Sequence, residues 1–179
     1  GWLLAKPYTG KENISLPNYL KVLVNFVDAK RDYLTILEGV LRGNKASVQF
    51  VLSGETYLND KNLQISSVRL KYSISKKRLY FGKKSYQATD DPTTRWDKGL
   101  YDIEIPDYPH GAGRNYPDAK YGTVWFRIGH SGARYLHTGK FSAGCITLVE
   151  QNKWDGLCAI LIKARKGDGL SVGILEVID

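Results

Sequence analysis

Apolar residues recur at helical intervals along the first quarter of the chain and in alternation along the rest. Leu16, Tyr19, Leu20, Leu23 and Val27, then Tyr33, Leu34, Leu37, Val40 and Leu41, mostly stand three or four positions apart. That spacing lines one face of a helix. Ser15 and Pro17 suit the opening of such a segment, and Gly43-Asn44 suits its end. The pattern predicts one long helix, or two with a break near Asp28, while the β-branched Val22, Val24 and Val27 keep a strand in play. Residues 1–45 are therefore expected to be an N-terminal helical extension, and 46–179 the main domain.

From Ala46 the period becomes two. Val48-Phe50-Leu52, Leu63 to Ser75, Arg78 to Phe81, Gly99 to Ile105 and Gly122 to Ile128 read as strands, with Ser75-Lys76-Lys77 turning one hairpin. A second hairpin runs from Val124 through the turn His130-Ser131-Gly132 to His137. Between the strands lies a polar loop, Pro106 to Lys120, rich in glycine and proline and carrying His110. A loop of that length in a compact domain is usually either functional or mobile, and it is expected as a lid or rim over a groove. After Cys145, Thr147 and Glu150 have the spacing of a capping box, so a helix is expected from about Leu148 to Arg165, followed by a last strand from Leu170 to Val177. The expected fold is a β-rich α+β domain, mostly antiparallel, with one or two helices attached.

With 179 residues, 42% hydrophobic and 25% charged, the chain can bury a core of its own. No apolar run approaches the roughly 20 residues of a membrane-spanning helix, so no transmembrane segment is expected. The start lacks the ordered regions of a signal peptide; beginning at Gly1 with no Met in the chain, it reads as a processed or trimmed product. A net charge of +8 points either to an anionic partner, such as nucleic acid, a membrane surface or a cell-wall polymer, or simply to solubility. The cations are scattered and no nucleic-acid motif accompanies them, so nucleic acid is not expected. Metal and cofactor are not expected either. His130, His137 and Cys145 lack the close-pair spacing of a zinc set, and no phosphate-cradling glycine loop is present.

The candidate chemistry lies in His137-Thr138-Gly139-Lys140-Phe141-Ser142-Ala143-Gly144-Cys145. A thiol just before a helix N-terminus has its thiolate favoured by the dipole, and a nearby histidine can take the proton and return it. The small residues Ser142, Ala143 and Gly144 allow a tight turn that aims successive N–H groups at one point, as an oxyanion requires. Cys145 is thus the candidate nucleophile of an acyl transfer. Cys158, on the apolar side of the expected helix, reads as a buried, inert thiol. His137 and His130 both remain candidate bases. His137 ends a strand while His130 sits on a turn tip, and a strand end fixes a base better. Tyr121, near the mouth of the long loop, is a candidate oxyanion or substrate contact.

Ser142-Ala143-Gly144-Cys145-Ile146-Thr147, preceded by a histidine, resembles the active-site signature Ser-His-Gly-Cys-(Ile/Val)-Arg of the L,D-transpeptidase (YkuD-like) catalytic domain. A weaker resemblance extends over 65–179, including Asp91-Pro92-Thr93-Thr94 up to Gly99-Leu100-Tyr101. Ala143 and Thr147 depart from the signature, and the Ile-Thr-Leu ending is more similar to L,D-transpeptidase-like effectors of type VI secretion. The resemblance implies an L,D-transpeptidase-like β-sandwich, and a cysteine that attacks peptidoglycan stem peptides at a meso-diaminopimelate to D-Ala bond. It further implies cross-linking, carboxypeptidase or exchange activity, a location in the periplasm or outside the cell, and a ring-orienting backbone carbonyl at Thr138. The competing reading is a catalytically inactive, basic wall-binding or interaction module on the same fold.

Overall fold

The computed structural model describes all 179 residues and contains fifteen strands and one α-helix. Its first strands are β1 (Trp2–Pro7), β2 (Ile14–Pro17), β3 (Val22–Val27), β4 (Arg31–Ile36) and β5 (Lys45–Gln49). They form one sheet in the order β2-β1-β5-β4-β3. The helix expected over 15–42 is absent. The apolar positions that fit a helical period also fit a period of two, and cross-strand partners decide between them. In β4, Asp32, Leu34 and Ile36 are buried while Arg31, Tyr33 and Thr35 face outward. Tyr19, at a positive φ of 62°, breaks any helix between Leu16 and Leu23. The expected boundary at 45/46 falls at the start of β5, which pairs with both β1 and β4.

The remaining elements are β6 (Ile65–Ser66), β7 (Val68–Ser73), β8 (Arg78–Phe81), β9 (Lys84–Thr89), β10 (Gly99–Glu104), β11 (Phe126–Arg127), β12 (Tyr135–Thr138), β13 (Ile146–Leu148), α1 (Gln151–Leu161), β14 (Ala164–Arg165) and β15 (Ser171–Ile178). Eight of them form a sheet in the order β10-β15-β7-β8-β9-β13-β12-β11. Its two ends meet through a bridge between Ile103 and Ile128, so the sheet curls almost closed. The domain is β-rich as expected. Its pairing is mostly antiparallel as expected, while β15–β7, β12–β13 and β14–β6 are parallel.

Near Cys145 the order of elements differs from the sequence expectation. Ile146-Thr147-Leu148 is strand β13, inserted between β12 and β9, and α1 begins only at Gln151. Glu150 makes no cap with its side chain; its carboxylate accepts from the Gln87 N–H at 2.7 Å. Ile146 and Leu148 are fully buried, each contributing about 2 kcal/mol by burial, which favours a strand here over an extra helical turn. The helix-dipole effect fades within the first turn, so α1 does not act on Cys145. Along α1, Trp154 packs edge-to-face on Phe126 at 6.1 Å, and Cys158 is fully buried.

The long loop is folded down rather than standing over a groove. It contains a short 3₁₀ helix, Gly111–Asn115, and its backbone presses on the segment leading to β11. A Cβ on Gly113 would lie 2.0 Å from the Gly122 carbonyl oxygen, so only glycine permits this approach.

A third, two-stranded sheet pairs β14 with β6, and a buried ion pair ties β14 to the segment just after β4 of the five-stranded sheet. Glu38 Oε1 accepts from Arg165 Nε at 2.9 Å, Gln64 Nε2 at 2.7 Å and the Lys21 N–H at 2.7 Å, while Arg165 also donates to the Tyr19 carbonyl at 2.8 Å. Replacing Glu38 by Ala leaves the Arg165 charge buried without its partner. The expected loss is about 3 kcal/mol, read from urea unfolding. A change within about 0.5 kcal/mol would show that this joint does not hold the N-terminal sheet to β14.

Candidate functional site

The register of three short strands builds the site. In β11–β12, Phe126 faces Leu136 and Arg127 faces Tyr135; in β12–β13, Leu136 faces Ile146 and His137 faces Thr147. Alternation then sorts the side chains. Phe126, Leu136 and Ile146 are fully buried in the core. The opposite face carries two adjacent rows, Arg127–Tyr135–Cys145 and Trp125–His137–Thr147. Cys145 precedes β13 by one residue, and the Tyr135 N–H donates to its Sγ at 3.4 Å. Cys145 and His137 are therefore diagonal neighbours on one face of a parallel pair, a separation that side chains can bridge.

His137 is fixed on both sides of its ring. Nδ1 lies 2.7 Å from the Thr138 carbonyl oxygen, which only an Nδ1–H can satisfy. Nε2 therefore carries the lone pair, and the Thr147 hydroxyl donates to it at 3.1 Å. Trp125 stacks on the imidazole at 3.9 Å and 15°. Burial pushes the His137 pKa down from 6.5 to about 4, against the Thr138 carbonyl bond, which raises it, and with the nearby His110, which lowers it. Burial likewise pushes the Cys145 thiol up, partly offset by the Tyr135 N–H and the charge of Arg134. At neutral pH the site holds a neutral thiol, whose Sγ donates to the Ala133 carbonyl at 3.9 Å, and a neutral imidazole.

The turn before Cys145 depends on glycine. Gly144 has φ +100°, a left-handed conformation that other residues adopt only with strain. The Ser142 hydroxyl donates to the Cys145 carbonyl at 2.6 Å, closing the turn. Its hydroxyl thus braces the loop. The N–H groups of Ala143 and Gly144 have no acceptor within the protein, and Gly144 is buried. Free donors on a fixed turn beside a thiol suit a developing oxyanion.

His130 is held elsewhere. Nδ1 lies 2.9 Å from Glu104 and Nε2 2.8 Å from Asp102, on the far strand β10. Both ring nitrogens are engaged, and the Glu104 and Asp102 bonds raise its pKa above 6.5. Tyr121 also lies apart from the two rows. Its N–H donates to Asp155 and its carbonyl accepts from the Trp154 indole, both on α1, and its ring meets Lys120 and Gly1. A groove of about 670 Å³ is lined by residues of β1–β5 and by Tyr57–Gln64, and no residue of the two rows lines it.

Sequence reasoning assigned no role in the site to four residues that close it, with Trp125 read as ordinary packing and His110 only as part of the long loop. Asp107 and His110 come from the long loop, and Trp125 and Arg127 from the β11 segment. Asp107 accepts from Arg127 at 2.8 Å and from the Tyr135 hydroxyl at 3.0 Å, and lies 3.2 Å from the His110 ring. The available signal was alternation. Trp125 and Arg127 face opposite to Val124, Phe126 and Ile128, so they belong to the same face as His137.

No family model and no curated protein matches the chain. Among solved structures, the chain is similar to L,D-transpeptidase 1 of Mycobacterium tuberculosis at 13% identity and a TM-score of 0.40, covering 89% of this chain and 83% of that one. An L,D-transpeptidase from Mycobacterium tuberculosis H37Rv gives 13%, 0.40, 99% and 93%. L,D-transpeptidase 3 from Mycobacterium tuberculosis gives 12%, 0.41, 99% and 94%. At this similarity the chemistry of the site rests on this chain's own residues.

The two histidines should titrate on opposite sides of pH 6.5. By histidine NMR, His137 stays neutral as pH falls to about 4 while His130 keeps its proton above 6.5. Because the folded pKa of His137 lies below its unfolded value, its contribution is complete above pH 6.5 and is lost as pH falls toward 4, by about 3 kcal/mol. A His137 midpoint near 6.5 would contradict the buried, neutral imidazole.

Proposed function

We propose that the chain is a cysteine-dependent acyl transferase acting on peptide stems of peptidoglycan. The observation that carries this reading is the placement of Cys145 and His137 in adjacent rows of one sheet face, with the Thr138 carbonyl holding the imidazole in the tautomer whose lone pair faces away from it. The stem peptide as substrate is supported by the resemblance of Ser142 to Thr147 to the L,D-transpeptidase signature and by a net charge of +8, which suits an anionic wall polymer.

In the proposed reaction the Thr147 hydroxyl yields Nε2 of His137, which takes the proton of Cys145 as Sγ attacks the stem carbonyl carbon. The oxyanion forms against the N–H groups of Ala143 and Gly144. Collapse expels the amine, which leaves with the proton from His137, and a thioester remains on Cys145. An amine acceptor then gives a cross-link or an exchanged stem, and water gives a trimmed one. Such an enzyme works where the wall is, in the periplasm or outside the cell.

Tetrapeptide muropeptides incubated with the protein and followed by mass spectrometry test this reading. Wild type should release D-Ala and carry a transient acyl adduct on Cys145. Cys145→Ala should do neither, His137→Ala should lose roughly 10²- to 10⁴-fold, and His130→Ala should stay within a few-fold of wild type. Wild type without adduct or turnover would replace this reading with an inactive wall-binding module. Full activity in His137→Ala would remove His137 as the base.

A further inference from the structure

Asp107 begins the long loop just after β10 and is 7% exposed. Its Oδ1 accepts from the Tyr108 N–H at 2.8 Å and lies 3.2 Å from His110 Nε2; its Oδ2 accepts from Arg127 at 2.8 Å and from the Tyr135 hydroxyl at 3.0 Å. Burial works against its charge, but the bonds from His110, Tyr108, Arg127 and Tyr135 hold its pKa below the usual carboxylate value. Arg127 also approaches Glu104 at 3.8 Å, so the cation faces two carboxylates.

Two lines of contact leave this carboxylate and end on the two reacting groups. One runs through Tyr135, whose hydroxyl bonds Asp107 and whose own N–H bonds Cys145 Sγ. The other runs through His110, which stacks on Trp125 at 4.3 Å and 5°, and Trp125 stacks in turn on His137 at 3.9 Å and 15°. Tyr108 closes the outer end of the stack at 4.3 Å, and the Tyr135 ring meets His110 edge-on at 4.5 Å. The imidazole thus rests against a wall of rings whose far side is tied to the same carboxylate that ties down the tyrosine at the thiol.

We propose that Asp107 is a positioning residue of the Cys145–His137 centre, acting on the thiol through Tyr135 and on the imidazole through His110 and Trp125. This rests on Cys145 and His137 being nucleophile and base. A base transfers a proton efficiently only when held within a fraction of an ångström and some 10–20° of the productive geometry, and displacements of about 1 Å can cost about a hundredfold. Asp107 touches neither reacting group, so its effect is on orientation.

The test is alkylation of the full chain by iodoacetamide across pH, with Cys145→Ala as the blank; Cys158 is fully buried and contributes no competing site. In Asp107→Asn the rate near pH 7, where the thiol needs the imidazole to lose its proton, should fall about tenfold or more. At a pH high enough to ionise the thiol unaided, mutant and wild-type rates should converge. Tyr135→Phe and His110→Phe, which each cut one line while keeping a ring, should fall less and converge likewise, and they carry the test if Asp107→Asn does not fold. Unchanged rates near pH 7 overturn the proposal. So does an equal loss at every pH, which marks general damage to the fold. Because alkylation needs no stem peptide, a wild type that is alkylated but never turns over muropeptides defeats the acyl-transfer reading and not this one.

Discussion

The parallel pairing of β12 with β13 is the constraint on which the site depends. His137 faces Thr147 across it, and the next residues inward, Leu136 and Ile146, fill the core. Because side chains alternate with a period of two, a slip of one residue would turn His137 or Cys145 into the core and push an isoleucine or leucine to the surface. The aliphatic residues therefore fix the register, and the register fixes which chemical groups meet. Gly144, in its left-handed turn, is the device that ends one loop and delivers Cys145 to the start of that strand.

Burial then determines the charge state of what has been brought together. Both groups sit where an isolated ion is poorly solvated, so the resting site holds a neutral thiol and a neutral imidazole. That differs from a thiol exposed at a helix N-terminus, where the dipole stabilises the thiolate in advance. Here α1 begins too late to help, so in the proposed reaction proton transfer must accompany attack. The Thr147 hydroxyl occupies the imidazole lone pair at rest, so in the proposed reaction it must release Nε2 before His137 can act as the base. His130 shows the contrasting environment: beside two carboxylates on a half-exposed turn it favours the charged form and has no free ring nitrogen.

Much of this could be read from the sequence, and the failures share one cause. Cys145, the turn before it and the strand carrying His137 were legible because glycine and small residues mark a tight turn and Tyr135 to His137 alternate. The strands Arg78 to Phe81 and Gly99 to Glu104 were legible for the same reason. The N-terminal segment was misread because Leu16 to Leu41 satisfies two periods at once, and only pairing with β1 and β5 separates them. Ile146 to Leu148 was read into the helix because three residues are too few to display any period. Asp107 and His110 were given no role in the site because they reach it by tertiary packing of a long loop, held down where Gly113 meets Gly122, and no local pattern encodes that contact.

A crystal structure of the protein acylated on Cys145 by a peptide-like electrophile would test the central claim most directly. The account predicts that the acyl oxygen lies against the N–H groups of Ala143 and Gly144, that Thr147 has released the imidazole, and that His137 Nε2 points at the sulfur within hydrogen-bond reach. An imidazole still bonded to Thr147 and turned away from the sulfur, with the acyl oxygen in solvent, would contradict it.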